Sequence, residues 1–228
     1  MRGHTANERM ADRKRTKVSA IDWGEKTMKK AAMVVCAILC LQVAAFGQSL
    51  SPEDRAAGVK YLEQTRDGVI AATQGLSEAQ WKFKAGPDRW SVAEVMEHIA
   101  LAEDFIFGAV SEQVMKAPAG APDRDYKKID AMVIAMVPDR SHKAQAPPPL
   151  VPTGKWTPAE SLDHFLKSRA RTIEYMKTTE GLRDHVTADN PLGQPMDAYE
   201  YLLFISAHSE RHTKQMLEVK ADPNFPKK

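Results

Sequence analysis

The sequence predicts an all-α fold, a four-helix bundle with a long crossover between the second and third helices. Three observations carry that expectation. Four segments open with helix start signals and continue with apolar residues at helical spacing. No segment of useful length alternates with period two between turn signals, so no sheet is expected. The stretch 118–156 holds Pro118, Pro122, Pro138, Pro147, Pro148, Pro149 and Pro152, which suit a connection and not a helix interior.

The first helix opens at Ser51-Pro52-Glu53-Asp54, where proline takes the first helical position, and continues through Val59, Leu62 and Val69. Gly75 follows its last periodic residue. The second opens at Ser91-Val92-Ala93-Glu94. That is a capping box, in which the serine side chain and the glutamate each satisfy a backbone N–H that the first turn leaves free. Val95, Ile99, Ala102 and Ile106 mark its inner stripe, and Pro118 stops it. The crossover follows, with a short helix expected near 129–137. A loop this long is uncommon unless it has a role, either spanning the bundle length or covering one end as a lid. The third helix opens at Thr157-Pro158-Ala159-Glu160, runs through Leu162, Phe165, Ile173 and Met176, and ends before Gly181. The fourth opens at Asp197-Ala198-Tyr199-Glu200 and carries Leu202, Ile205, Met216 and Val219.

The amino-terminal residues read differently. Lys29 and Lys30 precede an apolar run, 31–43, that ends in Ala44-Ala45-Phe46-Gly47. A short basic region, an apolar stretch and small residues at a cut site describe a signal peptide over 28–47, cleaved after Gly47, and predict an exported, periplasmic or secreted protein. The run is short for a membrane span and contains Gln42, so no stable insertion is expected after cleavage. Residues 1–27 are polar and charged, an odd prefix to such a signal. They read as a non-native leader before a working start at Met28, or as a disordered extension. Domain 48–228 remains, about 180 residues, enough for a sizeable core.

Cys36 and Cys40 both fall in the apolar run, so the mature chain has no disulfide, thiolate ligand or cysteine nucleophile. Residues 1–47 also take nine of the 32 Lys/Arg and four of the 30 Asp/Glu, which leaves a net charge of −3. A mildly acidic domain has no electrostatic footprint for nucleic acid.

Three histidines then stand out. His208 and His212 are spaced i,i+4, so both imidazoles leave one face of the fourth helix, on a stripe with Tyr201, Ile205, Gln215 and Val219. His98 shares a stripe of the second helix with Val95, Ala102 and Phe105. Three inward imidazoles with an open position suit a catalytic divalent ion. Imidazole accepts zinc, nickel, copper and iron alike, and manganese is a further candidate. Glu94 reads as a capping residue; Glu97, Glu103 and Glu210 are expected to face solvent, so no carboxylate ligand or general base is assigned. His4, His142 and His164 read as solvated, and His185 as a weak substrate-side candidate near the bundle mouth.

Trp90-Ser91 with Glu94 and His98, the run from His208 to Met216, and the ending Glu218-Val219-Lys220 to Pro223-Asn224-Phe225-Pro226 resemble the DinB/YfiT-like family of four-helix metalloenzymes. The resemblance covers residues 51–226. It implies a divalent metal, often nickel or zinc, on His98, His208 and His212, and it matches Arg211 and Gln215 to family positions without fixing their roles. Some relatives are thiol-dependent transferases, and related bundles often pair. The expected function is therefore a metal-dependent hydrolase using a metal-held water on a small-molecule substrate, with a homodimer as a candidate assembly. The alternatives are a thiol-dependent S-transferase, which export disfavours because the usual thiol cosubstrates are cytosolic, and a non-catalytic metal-binding or stress-associated protein.

Overall fold

The computed structural model describes residues 49–190 and 192–227. The expected leader, signal peptide and cleavage site, both cysteines and His4 lie outside the described residues. Among those described, no helix is long and apolar enough to cross a membrane.

The helices are α1 (Pro52–Thr73), α2 (Glu78–Lys82), α3 (Val92–Glu112), α4 (Tyr126–Met136), α5 (Pro158–Thr178) and α6 (Ala198–Lys220). The four long ones begin at the residues their caps predict. Ser51 Oγ accepts from the Asp54 N–H, and Ser91, Thr157 and Asp197 each form a reciprocal capping box with Glu94, Glu160 and Glu200. The short α2 was not anticipated, although Ser77 and Gln80 cap it in the same way. The expected absence of a sheet also needs correction. Residues Val186–Thr187 (β1) and Met196–Asp197 (β2) pair as an antiparallel ribbon, and Ala119 bridges His185. Two-residue strands are too short to show period two in sequence.

Long-range contacts fix the helix directions. Tyr199 at the start of α6 donates to the Asp54 carbonyl at the start of α1 (2.6 Å), and Lys220 at the end of α6 donates to the Ala72 carbonyl near the end of α1 (2.8 Å), so these two run parallel. Arg55 donates to the Met176 and Thr179 carbonyls at the end of α5, which makes α5 antiparallel to α1. Along α3 and α5, Asp104 meets Ser168 and Phe107 meets Tyr175, so α3 and α5 are parallel. Both α1 and α3 pack chiefly on α5 and α6, which places α1 and α3 across the bundle from each other. Parallel α3 and α5 oblige the chain to return the full length of the bundle, and the crossover does so. Its α4 packs along α6, and its later turns cover the end where α3 begins.

Two apolar clusters fill the bundle. One gathers Leu62, Ile106, Val110, Met176 and Leu202; the other gathers Val69, Val95, Ile99, Phe165 and Met216. Where they meet, a buried ion pair ties all four long helices. Glu103 of α3 accepts from Arg169 of α5 through both oxygens (2.8 and 2.7 Å). Arg169 also donates to the Leu62 carbonyl and Thr65 Oγ1 of α1 and to Ser209 Oγ of α6. Phe105, expected on the inner stripe of α3, is 53 % exposed.

Candidate metal centre

His98 sits in the second turn of α3, and His208 and His212 lie one turn apart about the middle of α6. Because α3 and α6 run antiparallel, the three rings meet. His98 Nε2 lies 3.1 Å from His212 Nε2 and 3.2 Å from His208 Nε2. His98 and His212 are buried, and His208 keeps part of its surface exposed. Trp90 packs against the His98 ring at 5.0 Å between centroids, and Phe204 stacks over His208 at 6.3 Å.

The other ring nitrogens decide what the meeting point holds. His98 Nδ1 lies 2.8 Å from the Leu150 carbonyl, and His212 Nδ1 lies 2.7 Å from Gln215 Oε1. Both partners only accept, so both rings carry their proton on Nδ1 and present an Nε2 lone pair. Burial holds the rings neutral. It lowers His98, takes His212 down to about 3, and takes His208 well below the usual imidazole value with help from its two neighbours. Lone pairs that close repel unless a cation lies between them. Three nitrogens at ~2.0–2.1 Å from one tetrahedral ion stand about 3.3–3.4 Å apart, close to the two separations measured from His98. The donor set therefore fits a divalent ion, with His98, His208 and His212 as the residues that would hold it.

Among the described residues, this is the group with metal-ligand spacing, and no carboxylate joins it. Glu94 caps α3, accepting from the Ser91 N–H at 2.7 Å. Two of the three glutamates expected in solvent are buried instead. Glu97 accepts backbone N–H bonds from Thr153, Gly154 and Lys155, and Glu103 pairs with Arg169. Glu210 is half-buried and accepts from Tyr61 at 2.7 Å. His164 is not simply solvated, since it pairs with Asp104 and stacks on Trp156 at 4.4 Å. His142 is exposed on the crossover. His185 is not at this mouth. It bridges Ala119 beyond the far end of α3, whereas His98 lies about 20 Å earlier along the helix, at 1.5 Å per residue.

Four supporting residues were not assigned roles from sequence. Gln215 follows His212 by one turn, a spacing that could have revealed it. Leu150 acts through its carbonyl, which no residue-type signal marks. Arg211 points away from the rings and donates to the Val137, Asp139 and His142 carbonyls, fastening the crossover to α6. Arg140 of the crossover pairs with Glu218 (2.6 and 2.8 Å) and reaches Gln215 Oε1 at 3.4 Å.

Comparison with known proteins gives the family and the fold. Residues 61–216, which include all three histidines, match the DinB superfamily. The uncharacterized protein YuaE of Bacillus subtilis (strain 168) is 25% identical over 151 residues, 64% of this chain and 87% of that protein. The solved structure of YfiT from Bacillus subtilis superposes with a TM-score of 0.50 at 16% identity, covering 78% of this chain and 93% of that one. YfiT is described as a probable metal-dependent hydrolase with an unusual four-helix bundle topology, and the likeness to it concerns the fold. With the family match spanning most of its length, the chain belongs to the DinB superfamily.

Proposed function

We propose that this protein is a metal-dependent hydrolase whose divalent ion is held by the Nε2 atoms of His98, His208 and His212. One observation carries the reading: the Nε2 atoms of His208 and His212 both lie within 3.2 Å of His98 Nε2, with the two buried rings fixed in the ligating tautomer by Leu150 and Gln215. An ion so held would supply Lewis-acid chemistry, lowering the pKa of a water and polarising a substrate oxygen. The residues around it do the rest. Gln215, itself contacted by Arg140, holds His212 in place. Trp90 shields one side of His98, and the partly exposed His208 marks the side open to a small-molecule substrate. Three protein ligands among the described residues would leave a fourth position for an exchangeable water, as in catalytic sites. Zinc and nickel are the first candidates by ligand type.

The test is to strip the purified protein with chelator, reload it with zinc or nickel, and assay ester, amide and phosphoester substrates. Hydrolysis is expected to depend on the metal and to vanish in His98→Ala with helical content retained. Equal rates for loaded wild type and His98→Ala across the panel would end the hydrolase reading. Export is proposed separately, on the strength of residues 28–47. The N-terminus of the mature protein should begin at Gln48, and a product still carrying residues 28–47 would contradict it.

A further inference from the structure

Glu97 precedes His98 on α3, yet its side chain goes elsewhere and is almost wholly buried. Its carboxylate is enclosed by the turn that leads into α5. Oε1 accepts from the Thr153 N–H (3.1 Å), Thr153 Oγ1 (3.3 Å) and the Lys155 N–H (3.1 Å), and Oε2 accepts from the Gly154 N–H (2.9 Å). Gly154 takes φ +74°, the left-handed conformation that lets successive N–H groups converge on one anion. Three residues before this nest, the turn Pro148–Leu150 delivers the Leu150 carbonyl to His98 Nδ1 at 2.8 Å. The same short segment of crossover is thus gripped by Glu97 at one end and grips His98 at the other. Backbone from 150 to 153 includes Pro152, whose ring limits how far the two ends can move independently.

We infer that Glu97 is a positioning residue for the metal centre: its carboxylate anchors the 153–155 turn, and that anchor holds the Leu150 carbonyl where it fixes the tautomer and direction of His98. The inference rests on the metal site proposed above. Partners of ligand histidines commonly set metal affinity by ten- to a hundred-fold, because they select which ring nitrogen is free to bind. Glu97 stands one step further out and acts through the backbone.

The test uses two variants of the full domain. Glu97→Gln keeps the shape but presents an amide N–H to the Gly154 N–H. Glu97→Asp keeps the charge but draws the carboxylate back from the nest by one methylene. Two quantities are measured: the dissociation constant for zinc, and the ring 15N shifts of His98 in the metal-free protein, which report its tautomer. Wild type is expected to show a single Nδ1–H form. Both variants are expected to show mixed tautomers and zinc affinity weaker by about ten-fold or more. Unchanged tautomer and affinity in either folded variant would overturn the inference. So would weaker affinity in Glu97→Gln alone with the His98 shifts unmoved, since the carboxylate would then act by charge. A wild-type protein that binds no zinc would instead refute the metal site itself, which keeps the two failures distinguishable.

Discussion

Substituting Glu103 by alanine tests how the bundle is held together at its centre. Arg169 is fully buried, and its five N–H donors are all taken: two by Glu103, and one each by the Leu62 carbonyl, Thr65 Oγ1 and Ser209 Oγ. Removing Glu103 leaves a guanidinium in the core with no counter-charge, while Thr172 Oγ1 loses one acceptor at 2.9 Å and keeps the Ser168 carbonyl at 3.0 Å. Breaking a buried pair in this way costs about 3–5 kcal/mol. For a domain of roughly 180 residues, each kcal/mol moves Tm by about 2–4 °C, so the expected fall is about 6–20 °C. Replacing both partners, as in Glu103→Leu with Arg169→Met, removes the desolvation cost together with the attraction and should be neutral or stabilising by about 1–4 kcal/mol. Urea unfolding of the metal-free protein measures both, provided the m-value is unchanged. A Glu103→Ala loss below about 1 kcal/mol, the range of an exposed pair, would refute the reasoning.

Three further outcomes are expected. In the metal-free protein the site histidines are held neutral, His212 down to about 3, while unfolded histidine titrates near 6.5, so the unfolded chain gains protons first. Stability should therefore fall as pH drops from about 6.5 towards about 5, by up to ~1.4 kcal/mol per unit for each such histidine. Urea titrations of His212→Ala should show a shallower slope, and an identical slope would contradict the assignment. Gly58 on α1 packs where an added Cβ would come within 2.8 Å of both Met176 Cε and Tyr199 Cε2. Gly58→Ala should thus lose about 1 kcal/mol net, as overpacking outweighs the gain in helix propensity, and a raised Tm would count against it. Arg211→Lys cannot span three carbonyls, so amide exchange at 137–142 should accelerate with global stability little changed. Unchanged exchange would show that Arg211 does not fasten the crossover.

Much of this was legible because it is local. Ser51, Ser91, Thr157 and Asp197 bond to residues three positions on, so their sequence windows contain the whole interaction. The triad was legible for a related reason: the i,i+4 pair fixes two ligands on one face, and the cap at Ser91 phases His98 inward. Glu97 and Glu103 were misplaced because their partners lie more than fifty residues away, at Thr153–Lys155 and Arg169. The one-stripe picture also fails for α3. The bundle covers one side and the crossover another, so residues on both sides are buried, while Phe105 falls where neither reaches. Tautomers were out of reach because the Leu150 carbonyl is placed by the fold of the crossover and not by its side chain.

The metal content of the purified protein tests the central claim most directly, read together with X-ray absorption at the metal edge. One divalent ion per chain is expected, with three imidazole nitrogens at ~2.0–2.1 Å, and its loss when His208 and His212 are both changed to alanine. A wild-type protein without metal under metal-replete conditions, or the same content in the double variant, would contradict it.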